Sequence, residues 1–331
     1  MTALPTNNTT SRCGFCSNTK NLLCCSRCKF MFYCNREHEL AHRSAHQPAC
    51  KAVAKKRDIL DAEEEKLRSH PEDGAFPANL FTTSIGHFWG IFDTRDYMRA
   101  RFALVETLQK IETPDSLRAQ LDHLMDLTRL CRSDNMGVRY IVPALMLRLG
   151  MGQECYDFVK WWNTTGQDYD FGSLELPFLD IRNADMFESV EYLCGRYCNL
   201  SHTVGITLLK IKLLLDLTVL RDSAIMGEKQ ALRRLTITGH DDLIELLDKG
   251  VAIKLLAAQV DVLYKAVNKA NKHFWLNLLM PGMHLTTRPP YYSHGSIEEM
   301  QMVLQYSYDS WLETPGAIEV IQAKVKKDQS D

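Results

Sequence analysis

Residues 13–50 read CGFCSNTKNLLCCSRCKFMFYCNREHELAHRSAHQPAC. They hold seven of the chain's eleven cysteines (Cys13, Cys16, Cys24, Cys25, Cys28, Cys34 and Cys50) together with His38, His42 and His46. Two C-x-x-C pairs stand at Cys13/Cys16 and Cys25/Cys28, and from Cys34 onward a Cys or His recurs every four residues as far as Cys50. A C-x-x-C turn offers two thiolates to one tetrahedral ion, with Zn–S bonds of about 2.3 Å. A four-residue step keeps successive side chains on one helix face, a turn apart. Residues 35–46 have helical composition, with no Gly or Pro before Pro48. A segment this short cannot bury enough apolar surface to be stable alone. Structural zinc, at about 10–16 kcal/mol of apparent binding free energy, makes up the shortfall.

The choice of metal over disulfides rests on compartment. The opening MTALPTNNTT has no basic stretch followed by an apolar run, so no secretory signal is expected and the thiols are expected to stay reduced. An intracellular location, cytoplasm or nucleus, follows as the expectation. Residues 204–220 are the one apolar stretch to weigh as a membrane span. They contain Lys210, Lys212 and Asp216, each costing about 2.5–3.5 kcal/mol at mid-bilayer, so a core helix is expected and no membrane partner.

Two tetrahedral sites need eight ligands and ten Cys/His are at hand. Cys24 is the expected extra among the cysteines, because Cys25 already gives the two-residue spacing to Cys28. Spacing leaves open whether His42 or His46 serves the second ion.

This pattern resembles the MYND zinc finger, in which two C-x-x-C pairs are followed by Y-C-x-x-x-C/H and H-x-x-x-C, matched here from Tyr33-Cys34 through Cys50. The resemblance implies interleaved ligands: Cys13, Cys16, Cys34 and His38 on one zinc, and Cys25, Cys28, His46 and Cys50 on the other. It implies two structural zincs per chain, each filled by four protein ligands and lacking the open position a catalytic zinc keeps for water. MYND fingers that grip proline-rich peptides commonly carry Gln after the sixth ligand and Trp four residues later. Glu39 and Arg43 stand at those places, which removes one aromatic wall of that groove.

Charge separates this head from the remainder. The first 58 residues carry ten Lys/Arg against three acidic residues, a formal +7, and the remainder carries −9. Six thiolates and two divalent ions would lower the +7 to about +5. No recognition helix with base-reading side chains is evident, so nucleic-acid binding is not expected.

Residues 1–12 are expected as a disordered tail, 13–50 as the finger, 51–78 as a charged helix and linker, 79–323 as an all-α domain, and 324–331 as a second tail. The linker assignment rests on Pro71, Gly74 and Pro77. Helical periodicity dominates the body. Stretches expected as helix are 95–111, a run from Thr113 or Pro114, 138–149, 153–162, 184–194, 201–219, 229–235, 241–271 and 296–312. Residues 174–181 are expected as a loop packed on the core. The junction around Gly150 is similar to the helix–Gly–helix turn of tetratricopeptide-type repeats, which suggests a stacked helical array. The fold class expected is mostly α, and the whole pattern resembles fungal-type proteins in which a MYND finger precedes a helical body.

The body offers little reaction chemistry. No Walker, Rossmann, H-E-x-x-H or G-x-S-x-G pattern occurs. Asp170-Phe171-Gly172 lacks the other kinase elements, and the Asn-His-Ser motif of MYND-associated SET methyltransferases is missing. Cys194, Cys198 and His202 are spaced four apart, but isolated buried cysteines are the simpler reading. No catalytic and no cofactor-binding residue is assigned. The expected function is a zinc-binding adaptor whose partner is a protein. The alternatives are a methyltransferase-related enzyme and a DNA-associated transcriptional regulator.

Overall fold

The computed structural model describes residues 10–70, 79–195, 198–225 and 250–330. The expected linker residues 71–77, the helix at 229–235 and the start of the helix at 241–271 lie outside the described residues, as does most of the first tail.

The only sheet among the described residues is a hairpin, β1 (Leu23–Cys24) paired antiparallel with β2 (Phe32–Tyr33) in the register Leu23↔Tyr33. Everything else that is regular is helical. Asn35 caps the first helix, α1 (Arg36–Ala41), by accepting from the His38 N–H, with Glu37 and Glu39 favourably placed in the first turn. The helix does not run through to His46 as its composition suggested. It stops at His42, and a second helix, α2 (Arg43–Arg68), starts there and runs 26 residues without interruption. Pro48 sits inside α2, where a missing N–H and ring crowding cost about 3 kcal/mol. His46 and Cys50, on either side of Pro48, are both buried.

Contacts divide the described chain into two compact units, residues 1–145 with 170–178, and residues 146–169 with 179–331. In the first, α2 turns Val53, Ala54, Leu60 and Leu67 inward against α4 (Arg95–Leu108). There Tyr97, Met98, Leu104, Val105 and Leu108 are buried. The short α3 (Leu80–Thr83) precedes α4, and α5 (Pro114–Leu130) packs on it with Leu117, Leu121 and Leu124 inward. Thr113 caps α5 by accepting from the Ser116 N–H, and Pro114 takes the first helical position, where no N–H is needed. The loop at 174–181 was expected to pack on the core. Instead Leu174 and Leu176 are exposed, because the segment is held by its main chain: the Arg132 guanidinium donates to the carbonyls of Ser173, Leu174 and Leu176. The Asp170-Phe171-Gly172 triplet is a turn in which the Gly172 N–H donates to the Asp170 carboxylate at 2.9 Å.

The unit boundary passes through α6 (Val142–Arg148), which is followed by a turn at Gly150 (φ +73°) and α7 (Gly152–Asn163). The second unit continues with α8 (Leu200–Ile225), α9 (Val251–Ala270), α10 (Phe274–Leu279), α11 (Ile297–Leu312) and α12 (Ala317–Asp328). The last runs into the stretch expected as a tail. Among the described residues, helix lengths span 4 to 26 residues. Its core is aromatic: Trp275 stacks on Tyr264 with centroids 5.4 Å apart and meets Trp311 edge-on. No described helix is long and apolar enough to cross a membrane.

One expectation for this unit needs correction. Residues 184–194 are coil with a single 3-10 turn at Glu191–Leu193, not a helix. On α7, the adjacent Trp161 and Trp162 are both buried. The chain after α7 folds over them, with Tyr169 against the Trp161 ring and the Trp161 Nε1–H donating to Asp180 at 3.0 Å.

Candidate metal centres in the cysteine-rich segment

The hairpin sets the interleaving. A parallel bridge joins Cys13 to Phe32, so the first knuckle lies against β2. Leaving β1 the chain enters Cys25, and leaving β2 it enters Cys34, so the strand ends feed two different places. Each knuckle closes on itself. The Ser17 N–H donates to the Cys13 carbonyl with Ser17 at φ +60°, and the Lys29 N–H donates to the Cys25 carbonyl with Lys29 at φ +70°. A Cβ at Gly14 would meet Met31 Sδ at 2.7 Å and His42 Nδ1 at 3.1 Å, so a larger residue there would displace the Met31 side chain.

Two groups of four side chains result, Cys13/Cys16/Cys34/His38 and Cys25/Cys28/His46/Cys50, with the ligand atoms of each group all within 4.8 Å of one another. In the first, Cys13 Sγ is 3.5 Å from His38 Nδ1 and Cys16 Sγ is 3.4 Å from Cys34 Sγ. In the second, Cys25 Sγ is 3.8 Å from Cys50 Sγ and Cys28 Sγ is 3.4 Å from His46 Nε2. A tetrahedral zinc with Zn–S near 2.3 Å and Zn–N near 2.0–2.1 Å requires ligand atoms about 3.5–3.8 Å apart. Both groups therefore fit the ion, one His presenting Nδ1 and the other Nε2.

Electrostatics point the same way. All four members of the second group are buried, and burial pushes the Cys28 thiol up to about 12. Three thiolates converging there would repel one another unless a cation lies between them, and a coordinated divalent ion deprotonates its thiols outright. The first group is more open, with Cys16 exposed. Burial of Cys13 acts against ionisation, but backbone N–H groups of the knuckle outweigh it and bring the thiol down to about 6.

The two surplus candidates fall outside both groups. The exposed Cys24 thiol faces the Cys25 carbonyl at 3.7 Å. His42 lies between the groups, its Nδ1 3.1 Å from the Tyr33 hydroxyl and its ring parallel to His46 at 6.1 Å. Burial holds that hydroxyl protonated. Residues 11–50 match the family model of the MYND finger. This stretch is a MYND finger. No curated protein and no solved structure matches the chain.

The rest of the first unit supports the MYND finger through side chains whose spacing gave no sign of it. Arg57 sends its guanidinium to the carbonyls of Cys28 and Arg27. Thr113, while capping α5, donates its hydroxyl to the Phe30 carbonyl at 2.8 Å, and the Ser11 hydroxyl donates to Asp115. At the positions where peptide-gripping relatives carry Gln and Trp, Glu39 is ion-paired to Arg36 and Arg43 is exposed.

Cys194, Cys198 and His202 do not join a metal group; the two groups in the MYND finger are the ones found among the described residues. His202 is buried in the core of the second unit, with Nδ1 2.9 Å from the Asn163 amide nitrogen.

Proposed function

We propose that the protein is a non-enzymatic adaptor in which Cys13, Cys16, Cys34 and His38 hold one structural zinc and Cys25, Cys28, His46 and Cys50 hold a second. MYND fingers are generally protein-interaction modules, and the partner here is a protein. The observation that carries this reading is that each metal group is complete with four protein ligands, leaving no open position for a reacting water. The zincs act by replacing the core that a 38-residue segment cannot form. With both filled, the hairpin and α1 are fixed on a helical base through Arg57 and Thr113, so the finger's exposed surface is presented rigidly.

The test is a comparison of affinity-purified full-length protein with its Cys28→Ser variant, read against elemental zinc content. Partners recovered with the two-zinc protein and lost from the variant support the adaptor. Saturable S-adenosylmethionine binding by calorimetry would replace it with a methyltransferase, and salt-dependent DNA retention that disappears on chelation would replace it with a regulator touching DNA.

A further inference from the structure

Between α10 and α11 the chain exposes large apolar side chains in close succession. Met280 and Met283 are 73% and 80% exposed, and Tyr291 and Tyr292 are 81% and 43% exposed. Single exposed apolar residues need no explanation, but a succession of them on one segment marks a surface for another molecule. Residues 287–293 belong to no helix or strand, and they contain the run Arg288-Pro289-Pro290-Tyr291-Tyr292.

The tract is fastened to α11 on both sides. Gln305 Nε2 donates to the carbonyls of His284 at 2.7 Å and Thr287 at 2.6 Å. On the far side, the Glu299 carboxylate accepts the Gly295 N–H at 2.7 Å and lies 3.2 Å from His294 Nδ1. Between these anchors Arg288, Pro290, Tyr291, Tyr292 and Ser293 are exposed and Pro289 is half-buried.

The two prolines limit how such a tract can be read. Lacking N–H groups, they cannot extend a partner's sheet. They fix their own φ near −65° and push Arg288 and Pro289 toward polyproline II. Three residues make a turn of that helix, so Pro289 and Tyr292 share a face about 9 Å apart while Tyr291 points elsewhere. The chain bends at Pro290, so a partner must straighten it there. None of residues 288–293 has a positive φ, and the prolines have no N–H bond to break. The Pro-x-x-Pro spacing does not occur in the tract, which leaves the Pro-Pro pair and the following Tyr292 as the readable pattern. No Asp or Glu occurs between Asp261 and Glu298, so Arg288 suits a partner with an acidic rim.

We infer that residues 288–292 are the docking tract for a small protein module whose groove is lined by aromatic rings, the recognition chemistry of WW domains. The Pro289-Pro290 pair packs on the rings, and Tyr292 enters the groove one turn further on. The tract lies in the second unit and uses none of the metal ligands, so it stands or falls independently of the zinc assignment.

The test is a titration of a fluorescently labelled WW domain, of the class that reads Pro-Pro-x-Tyr, with the full-length chain. Saturable binding is expected, weakened about tenfold or more by Pro290→Ala and by Tyr292→Ala, each of which removes an anchor. Tyr291→Ala should change the affinity less than about threefold, because its ring lies off the face that is read. Unchanged melting temperatures show that the variants remain folded. Where one melts lower, the same substitution is compared in a synthetic peptide of residues 286–294. Equal losses from Tyr291→Ala and Tyr292→Ala would mean that exposed rings, not their spacing, are bound, and would overturn the inference. So would a full-length chain that fails to bind the domain, whether or not the wild-type peptide binds it.

Discussion

Arg57 shows how much of the metal site lies outside its ligands. Its guanidinium fastens the carbonyls of Arg27 and Cys28, the end of the second knuckle, to α2. Groups that orient metal ligands without touching the ion typically contribute 10- to 100-fold in affinity. Arg57→Gln should therefore lower zinc affinity by about that factor at one of the two sites and spare the other, measured by competition with a chromogenic chelator. His123 gives a pH handle away from the metal. Burial first, and then the Arg101 guanidinium whose Nε donates to it at 3.1 Å, hold its imidazole down to about 4. The unfolded imidazole titrates near 6.5, so the unfolded chain takes up the proton first on acidification. The resulting stability is intact above about pH 6.5 and drains away as pH falls toward 4. Between pH 7.5 and 5 the wild type should lose more denaturant resistance than His123→Gln does. The His123 ring signals should titrate near 4 by NMR, and titration near 6.5 would contradict the assignment of burial as its cause.

Thr113 joins two elements at one atom, capping α5 while its hydroxyl reaches the Phe30 carbonyl beyond the second knuckle. Thr113→Val should cost about 1–2 kcal/mol from the cap alone and should quicken zinc release. An urea midpoint with stopped-flow chelation checks both, and a stability loss with unchanged release would leave only the cap. The same elements show what sequence could and could not convey. The eight Cys/His side chains that the structure assembles into two groups were legible because knuckle spacing and four-residue helical steps are local properties. The helices α4, α5 and α11 were legible because their apolar stripes and caps are local too. The coil at 184–194 was not: its composition is compatible with a helix, and its main chain is instead bonded by Asp157, Lys210 and Gln259 on three other helices. The burial of both Trp161 and Trp162 was hidden for a related reason, since the chain that covers Trp161 comes from residues 166–180. The break at His42 was hidden as well, because α1 and α2 share one helical composition, and the residue between them, His42, bonds to Tyr33 on β2.

For the molecule as a whole, the MYND finger lies in the same compact unit as α2, α4 and α5, and the second unit contains none of its ligands. Chelation should therefore lower the melting temperature of one transition and leave another in place, in calorimetry with and without a zinc chelator. Parallel shifts of a single transition would show that the units melt as one. The Cys13 group, with Cys16 exposed, should surrender its ion before the fully buried Cys25 group, which cobalt substitution would resolve as two absorbance phases. The long helix α2 sets a limit on how such a module can be moved between proteins. It supplies His46 and Cys50 to the second metal group and, a few residues on, Val53, Ala54 and Leu60 to the face against α4. Inserting or deleting one residue between Cys50 and Val53 would swing the two sets about 100° out of phase. Cutting after Cys50 would sever the rod and strip the base. Recombination that preserves every metal ligand would still fail here unless it also carried the helical register along.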